Sequence, residues 1–248
     1  MTRGRSCILT YHSLDSSGSV ISVHPATFRQ QIEFLIESGA RIVPLGAARD
    51  TPSSIAITFD DGFRNFFEHA FPVLREFRVP ATVFVVSGYC GRHNDWPSQP
   101  RNTGVVTADL MSWSEVEELS RAGIEIGAHT VTHPRMSRLS NADVEEELSR
   151  CRAAIEDRTG RRVGSFAYPY GESTPEVRAA VRRQFQWACG TRLAYLTPES
   201  DAVDLPRIDM YYLQKRFWFE GLRHRRGSAY LGARGLLRGL RQRLVNSD

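Results

Sequence analysis

Short apolar runs alternate with amphipathic stretches along this chain. The runs that predict strands cover residues 7–11, 55–59, 81–87, 124–128, 165–168, 187–189 and 205–212. The stretches that predict helices cover residues 25–38, 63–77, 114–122, 140–157 and 174–185. Alternation of this kind is typical of βαβ units and a mostly parallel sheet. About seven strands within roughly 215 residues favour an α/β barrel, closed or nearly closed, over an open sheet.

Proline and capping residues mark several of the predicted boundaries. Pro25 fits the first turn of the first helix, and Pro72 is expected to kink or divide the second. Ser114 and Glu117 predict a capping box at the start of the third helix. Residues 88–109 are polar and rich in Gly, Pro and Asn, so they predict a long loop.

Composition and charge divide the chain into a neutral body and a basic tail. The 248 residues are 41% hydrophobic and 24% charged, as in ordinary globular proteins. Residues 216–248 hold eight arginines and two acidic residues, a net charge of +6, which leaves −2 on the other 215 residues. A body without basic excess argues against nucleic-acid binding. We therefore predict a domain at 1–215 and a basic, helical tail at 216–248.

The tail has two interpretations. Leu236, Leu240 and Leu244 share one helical face, and arginines supply charge around it. This pattern fits an amphipathic helix at an anionic membrane surface, and it equally fits a helix docked on the barrel with a solvated arginine face. No secretory signal segment is visible and the longest apolar run is too short to span a bilayer, so we predict a cytoplasmic location, with peripheral contact to the inner membrane as an option.

Cysteine spacing offers no metal or redox motif. The four cysteines lie far apart and form no CxxC pair, which argues against a zinc ribbon, a redox motif or a disulfide framework.

Polar residues instead cluster where four of the predicted strands end, the positions that line the active site of a β/α barrel. These residues are Tyr11-His12, Asp60-Asp61, His129 with His133, and the segment 168–171 with the sequence YPYG. One aspartate and two histidines suit Zn²⁺ or a similar divalent ion with positions left open for water. Asp61 can bind the metal while Asp60 acts as a general base. Each motif alone also fits a turn, a packed histidine or a chance pair, and only their joint placement favours a site.

The motifs resemble a known family. TFDDG at 58–62, HTVTHP at 129–134 and FAYPYG at 166–171 are similar to the first three motifs of the NodB-homology polysaccharide deacetylases, carbohydrate esterase family 4. The resemblance covers about residues 6–212 and implies a distorted (β/α)7 barrel. It also implies metal-dependent removal of N-acetyl groups from a sugar or polysaccharide, yielding acetate and a free amine. The implied metal is Zn²⁺, with Co²⁺ or Ni²⁺ as alternatives.

The resemblance also implies roles for matched residues. Asp60 would be the catalytic base, and the backbone N–H of Tyr170 would help to hold the oxyanion. The metal ligands would be Asp61, His129 and His133.

Two departures from the family pattern leave alternatives open. Ala167 stands where the family usually has an arginine that positions the base; Arg207 could replace it, or could form a structural ion pair. The late Leu-x-His motif is unconvincing, since its only match ends at His224 in the basic tail. The Tyr-His segment near the N-terminus resembles the permuted order of poly-N-acetylglucosamine deacetylases, so His12 is the predicted general acid and His224 the alternative.

Two further interpretations of function remain open at this stage. The chain could be a non-catalytic carbohydrate-binding member of the same fold, or a metal-dependent amidase or O-acetyl esterase on another substrate. The expected partner of the deacetylase is an N-acetylated saccharide, its substrate. Trp96, Trp113 and Tyr168 could stack on a sugar ring, or could belong to the core.

Overall fold

The computed structural model describes residues 5–99, 104–224, 227 and 229–235. The strands are β1 Cys7–Tyr11, β2 Ser13–Leu14, β3 Ser22–Val23, β4 Arg41–Ile42, β5 Ser54–Phe59, β6 Thr82–Val85, β7 Glu125–Ala128, β8 Ser165–Ala167, β9 Trp187–Cys189 and β10 Ile208–Asp209. The α-helices are α1 Pro25–Glu37, α2 Phe71–Phe77, α3 Trp113–Arg121, α4 Asn141–Thr159, α5 Pro175–Gln184 and α6 Arg216–Glu220.

The main sheet is parallel and curls into a barrel. Its strand order is β10-β1-β5-β6-β7-β8-β9, with β4 paired to the start of β5. An isolated parallel bridge joins Cys189 of β9 to Leu205, three residues before β10. The segment leading into β10 therefore brings the two edges of the sheet together. This arrangement confirms the α/β class and the (β/α)7 barrel expected from the sequence.

Alternation along the strands separates two apolar layers. One face packs against the helices through residues such as Leu9, Ile57 and Phe166. The opposite face forms a smaller interior cluster that contains Ile8, Ala56, Phe84, Ala167, Cys189 and Leu205. Because side chains along a strand alternate between the two faces of the sheet, every second residue lies on the interior side, and this alternation continues into the polar residues at the strand ends. On the interior side, Ala56 is followed by Thr58 and Asp60, and Leu205 is followed by Arg207.

Several predicted boundaries needed correction. The capping box of α3 is formed by Ser112 and Glu115, so the prediction of Ser114 and Glu117 was wrong by two positions. The strand predicted at 205–212 is only Ile208–Asp209, because a 3-10 turn follows at Met210–Leu213. The helix predicted at 63–77 is confirmed in its extent, because residues 64–77 are helical, with a π-helical turn at Phe66–Ala70 before α2 and Pro72 in the first turn of α2.

The structure describes only part of the basic tail. Residues 229–235 are helical, whereas Leu236, Leu240 and Leu244 lie outside the described residues. The division at residue 215, the amphipathic tail and the cytoplasmic location therefore stay predictions. No helix in the described part of the chain has the length and apolar character that a membrane span requires.

Candidate active site

Three predicted metal ligands converge at the carboxyl ends of β5 and β7. Asp61 Oδ1 lies 3.2 Å from His129 Nε2 and 3.3 Å from His133 Nε2. One ligand atom from each residue lies within 4.8 Å of the other two, and all three residues are buried. An oxygen and two nitrogens at this spacing match the donor set of a divalent metal with open positions.

The hydrogen bonding of His129 tests whether a cation fits between these groups. Its Nδ1 lies 2.8 Å from the carbonyl oxygen of Ala167, which can only accept, so Nδ1 carries the proton. A neutral His129 would then direct the lone pair of Nε2 at the Asp61 carboxylate, a repulsive arrangement unless a cation lies between them. The donor set therefore fits a metal ion, with Ala167 orienting one ligand from behind.

Asp60 lies beside this cluster and is held by Arg207. The two guanidinium nitrogens of Arg207 donate to the two carboxylate oxygens of Asp60, each at 2.6 Å. Arg207 is 1% exposed and also donates from Nε to the carbonyl oxygen of Gly190 at 2.9 Å. Burial raises the pKa of Asp60, but the guanidinium outweighs it and keeps the pKa below its ordinary value. Asp60 is thus a buried carboxylate that stays ionised at neutral pH.

His12 is a partly exposed member of the predicted set. It follows β1, and its Nε2 lies 3.7 Å from Asp60 Oδ2 with 21% of the side chain exposed. His224, the alternative acid, is exposed at the end of the 3-10 turn Gly221–Arg223 and contacts none of the predicted site residues in the described chain. The structure therefore brings His12, and not His224, to the carboxylate.

The turns that carry these residues have unusual backbone geometry. Six described residues other than glycine have positive φ, and four of them belong to the site: Asp61 (70°), Thr130 (69°), His133 (54°) and Tyr170 (59°). Such conformations are disfavoured for residues with a Cβ atom and concentrate at functional sites. The strain therefore coincides with the predicted ligands and with the predicted oxyanion residue.

The wall of the site includes two residues of the long loop that the motifs did not identify. The Trp96 ring lies on the His133 imidazole with centroids 4.1 Å apart, and the Ser98 hydroxyl donates to the His133 carbonyl oxygen. Ser98 also shares a hydrogen bond of 3.0 Å with the Tyr170 hydroxyl. Nothing in the sequence pattern links residues 96–98 to His133, because only the path of the loop brings them together.

The aromatic residues considered as sugar platforms have different positions. Trp96 is 2% and Tyr168 1% exposed, and the Tyr168 hydroxyl donates to the Val203 carbonyl oxygen at 2.7 Å. Trp113 is half-buried beneath the guanidinium of Arg158. Trp96 and Tyr168 therefore belong to the packed interior, which favours the core alternative for these two residues over an exposed sugar platform.

Comparison with known proteins identifies the family. The model of the polysaccharide deacetylase family matches residues 47–185, more than half of the chain and including both metal-ligand motifs. The chain belongs to the polysaccharide deacetylase family. This membership confirms the resemblance seen in the sequence and classes the chain with hydrolases that deacetylate polysaccharides.

The individual relatives have low sequence identity to this chain, but the similarity extends over most of its length. Poly-beta-1,6-N-acetyl-D-glucosamine N-deacetylase of Staphylococcus aureus (strain MSSA476) is 22% identical over 204 residues, 75% of this chain and 67% of that protein. The structure of IcaB from Ammonifex degensii superposes with a TM-score of 0.73 at 25% identity, covering 88% of this chain and 95% of that one. A polysaccharide deacetylase from Bacillus cereus gives a TM-score of 0.69 at 23% identity, over 84% of this chain and 65% of that one.

Proposed function

We propose that this chain is a metal-dependent N-deacetylase of an N-acetylated polysaccharide, releasing acetate and leaving a free amine. The observation that carries the proposal is the convergence of two groups of side chains at one end of the barrel. Asp61, His129 and His133 form a metal-ligand set, and the Asp60–Arg207 pair lies directly beside it. The name of the S. aureus relative supports poly-N-acetylglucosamine as the substrate class.

The metal would be held by Asp61 Oδ1 and the Nε2 atoms of His129 and His133. A divalent ion bound there would supply Lewis acidity toward the acetyl carbonyl and lower the pKa of water. Zn²⁺ is the proposed metal because a carboxylate with two imidazoles is a common zinc donor set, and Co²⁺ and Ni²⁺ are the alternatives to test.

Asp60 is the proposed general base. Its carboxylate offers about four lone-pair directions, and the two Arg207 donors occupy only one on each oxygen. The remaining directions are free to accept a proton from a water molecule that attacks the acetyl carbon. Arg207 fixes the plane of the carboxylate and keeps it ionised, so it acts as a positioning residue.

His12 is the proposed general acid. It follows β1 directly, 21% of its side chain is exposed, and its Nε2 lies 3.7 Å from Asp60 Oδ2. A proton delivered from His12 would allow the sugar nitrogen to depart as an amine, which is otherwise a poor leaving group. The backbone N–H of Tyr170, on a turn with φ of 59°, is the proposed hydrogen-bond donor to the developing oxyanion.

Acetate release tests this function. Metal-free protein is mixed with β-1,6-linked N-acetylglucosamine oligomers, with and without Zn²⁺, Co²⁺ or Ni²⁺, and an O-acetyl ester is assayed in parallel. We expect metal-dependent acetate release from the oligomers, and its loss in Asp60→Asn while metal content is kept. Release from the ester alone would support an esterase, and oligomer binding without release would support a non-catalytic carbohydrate-binding protein.

A further inference from the structure

The loop that joins the two histidine ligands is strained and needs external support. It runs from His129 to His133, and both Thr130 and His133 have positive φ. The His133 N–H donates to the Thr130 hydroxyl at 3.0 Å, which closes the loop on itself. Because such backbone conformations persist only where surrounding contacts determine them, the contacts of this loop decide where the His133 imidazole lies.

One side of the loop is held by the segment after β6. The N–H groups of Ser87 and Gly88 donate to the carbonyl oxygens of Thr130 and Val131 at 3.1 and 3.0 Å. The approach is so close that a Cβ atom on Gly88 would lie 2.6 Å from the Val131 oxygen. Only glycine fits there, so the carbonyl side of the loop has a fixed partner.

The other side is held by a single carboxylate from α4. Glu147 Oε2 accepts the N–H groups of Val131 and Thr132 at 2.7 and 3.0 Å, and Oε1 accepts the Thr132 hydroxyl at 2.7 Å. A carboxylate suits this position because all three groups are donors and an ionised carboxylate only accepts.

The two glutamates that precede Glu147 on α4 form ion pairs with arginines. Glu145 pairs with Arg183, and Glu146 pairs with Arg150 one turn along the helix. Among the ion pairs of the described residues, none includes Glu147. Its carboxylate instead accepts hydrogen bonds from the loop, and this distinguishes Glu147 from an ordinary solvated glutamate.

We propose that Glu147 is a positioning residue that sets the affinity of the metal site by holding the loop between His129 and His133. This inference rests on the proposed function, because it assumes that the two histidines bind a metal. Glu147 itself contacts no ligand atom; it acts through the backbone of Val131 and Thr132. Outer contacts of this kind orient a ligand before the metal arrives, and losing them weakens metal binding.

Glu147→Gln and Glu146→Gln make a matched pair of variants. Both remove one negative charge from the same turn of α4, but only the first replaces an oxygen that accepts from the loop by an NH2 group that can only donate. A hollow of about 250 Å³, lined by Val131, Thr132 and Glu147 among others, leaves room for the glutamine side chain without crowding. Thr132→Val is a third variant that removes one loop contact at an exposed position and leaves the carboxylate in place.

The affinity of metal-free protein for Zn²⁺ is measured by competition with a chromophoric chelator, at a temperature well below every variant's unfolding midpoint. We expect the Zn²⁺ dissociation constant to rise about 10-fold or more in Glu147→Gln, to rise less in Thr132→Val, and to match wild type in Glu146→Gln. Amide hydrogen exchange at Val131 and Thr132 should also quicken in Glu147→Gln without any metal present.

Equal Zn²⁺ affinity and equal exchange in the two glutamine variants would overturn the positioning role while leaving the proposed function intact. Absence of Zn²⁺ binding by wild type would overturn both, since there would then be no metal site for Glu147 to support.

Discussion

Replacing Arg207 by methionine would leave the Asp60 carboxylate buried without its partner. Methionine keeps most of the length of the side chain but removes both donors, which lie 2.6 Å from the two carboxylate oxygens. Breaking a buried ion pair from one side costs about 3–5 kcal/mol, because an uncompensated charge remains. For a domain of this size each kcal/mol shifts the unfolding midpoint by about 2–4 °C, so the midpoint of Arg207→Met should fall by about 6–20 °C at neutral pH.

The pH dependence identifies the cause of that loss. In the wild type the pKa of Asp60 lies below the unfolded value, so its contribution to stability is present above that value and is lost as pH falls through the folded pKa. In Arg207→Met burial remains without the cation, so the folded pKa should rise above the unfolded value. The stability of the variant should then decline as pH rises, and the difference from wild type should widen between pH 4 and pH 7.

Thermal unfolding of metal-free protein in EDTA, followed by circular dichroism across this pH range, measures the effect. The double variant Arg207→Met with Asp60→Asn is the control, because a neutral amide then replaces the buried carboxylate that has no ion-pair partner. It should recover much of the lost stability and show a nearly constant difference from wild type from about pH 5 to pH 7, where Asp60 of the wild type is ionised in both the folded and the unfolded state. If the single variant also differed from wild type by a constant amount, the loss would come from packing of the arginine stem, and the ion-pair reasoning would be refuted.

Two further predictions concern the acid and the metal. His12→Ala should lower the rate of acetate release by about 10²–10⁴-fold with metal content unchanged, whereas His224→Ala should retain the wild-type rate; the reverse result would reassign the general acid. Binding of Co²⁺ should quench the fluorescence of Trp96, which contacts the His133 ring. The quench should disappear in Trp96→Phe and persist in Trp113→Phe, and its persistence in both would contradict this contact.

The strand ends could be predicted because each is a local event. An apolar run followed by Asp60-Asp61, or by His129 with His133 four residues later, marks both the strand and the residues that leave it. Parallel strands then bring these ends to one rim of the barrel, so the ligand set follows from topology alone.

Contacts that depend on packing between distant segments could not be predicted in the same way. Arg207 and Asp60 are 147 positions apart, and the sequence could not decide between a catalytic partner and a structural ion pair. The sequence left Trp96 and Tyr168 open between sugar platform and core because an aromatic side chain suits a buried position as well as an exposed one. Glu147 was missed because one glutamate in a run of three on a charged helix carries no signal of its own.

The position of Arg207 also explains why Ala167 is a coherent departure from the family pattern. Both residues lie on the interior side of the barrel, Ala167 on β8 and Arg207 just before β10. Both oxygens of Asp60 are already engaged by Arg207, so an arginine at position 167 would bring a second buried cation with no carboxylate to neutralise it. The alanine side chain at 167 adds no such charge, and the carbonyl oxygen of Ala167 accepts the hydrogen bond that orients His129. The proposed base therefore has a guanidinium partner that reaches it from the opposite edge of the sheet, and this partner supplies the positioning that the family resemblance expects from an arginine at 167.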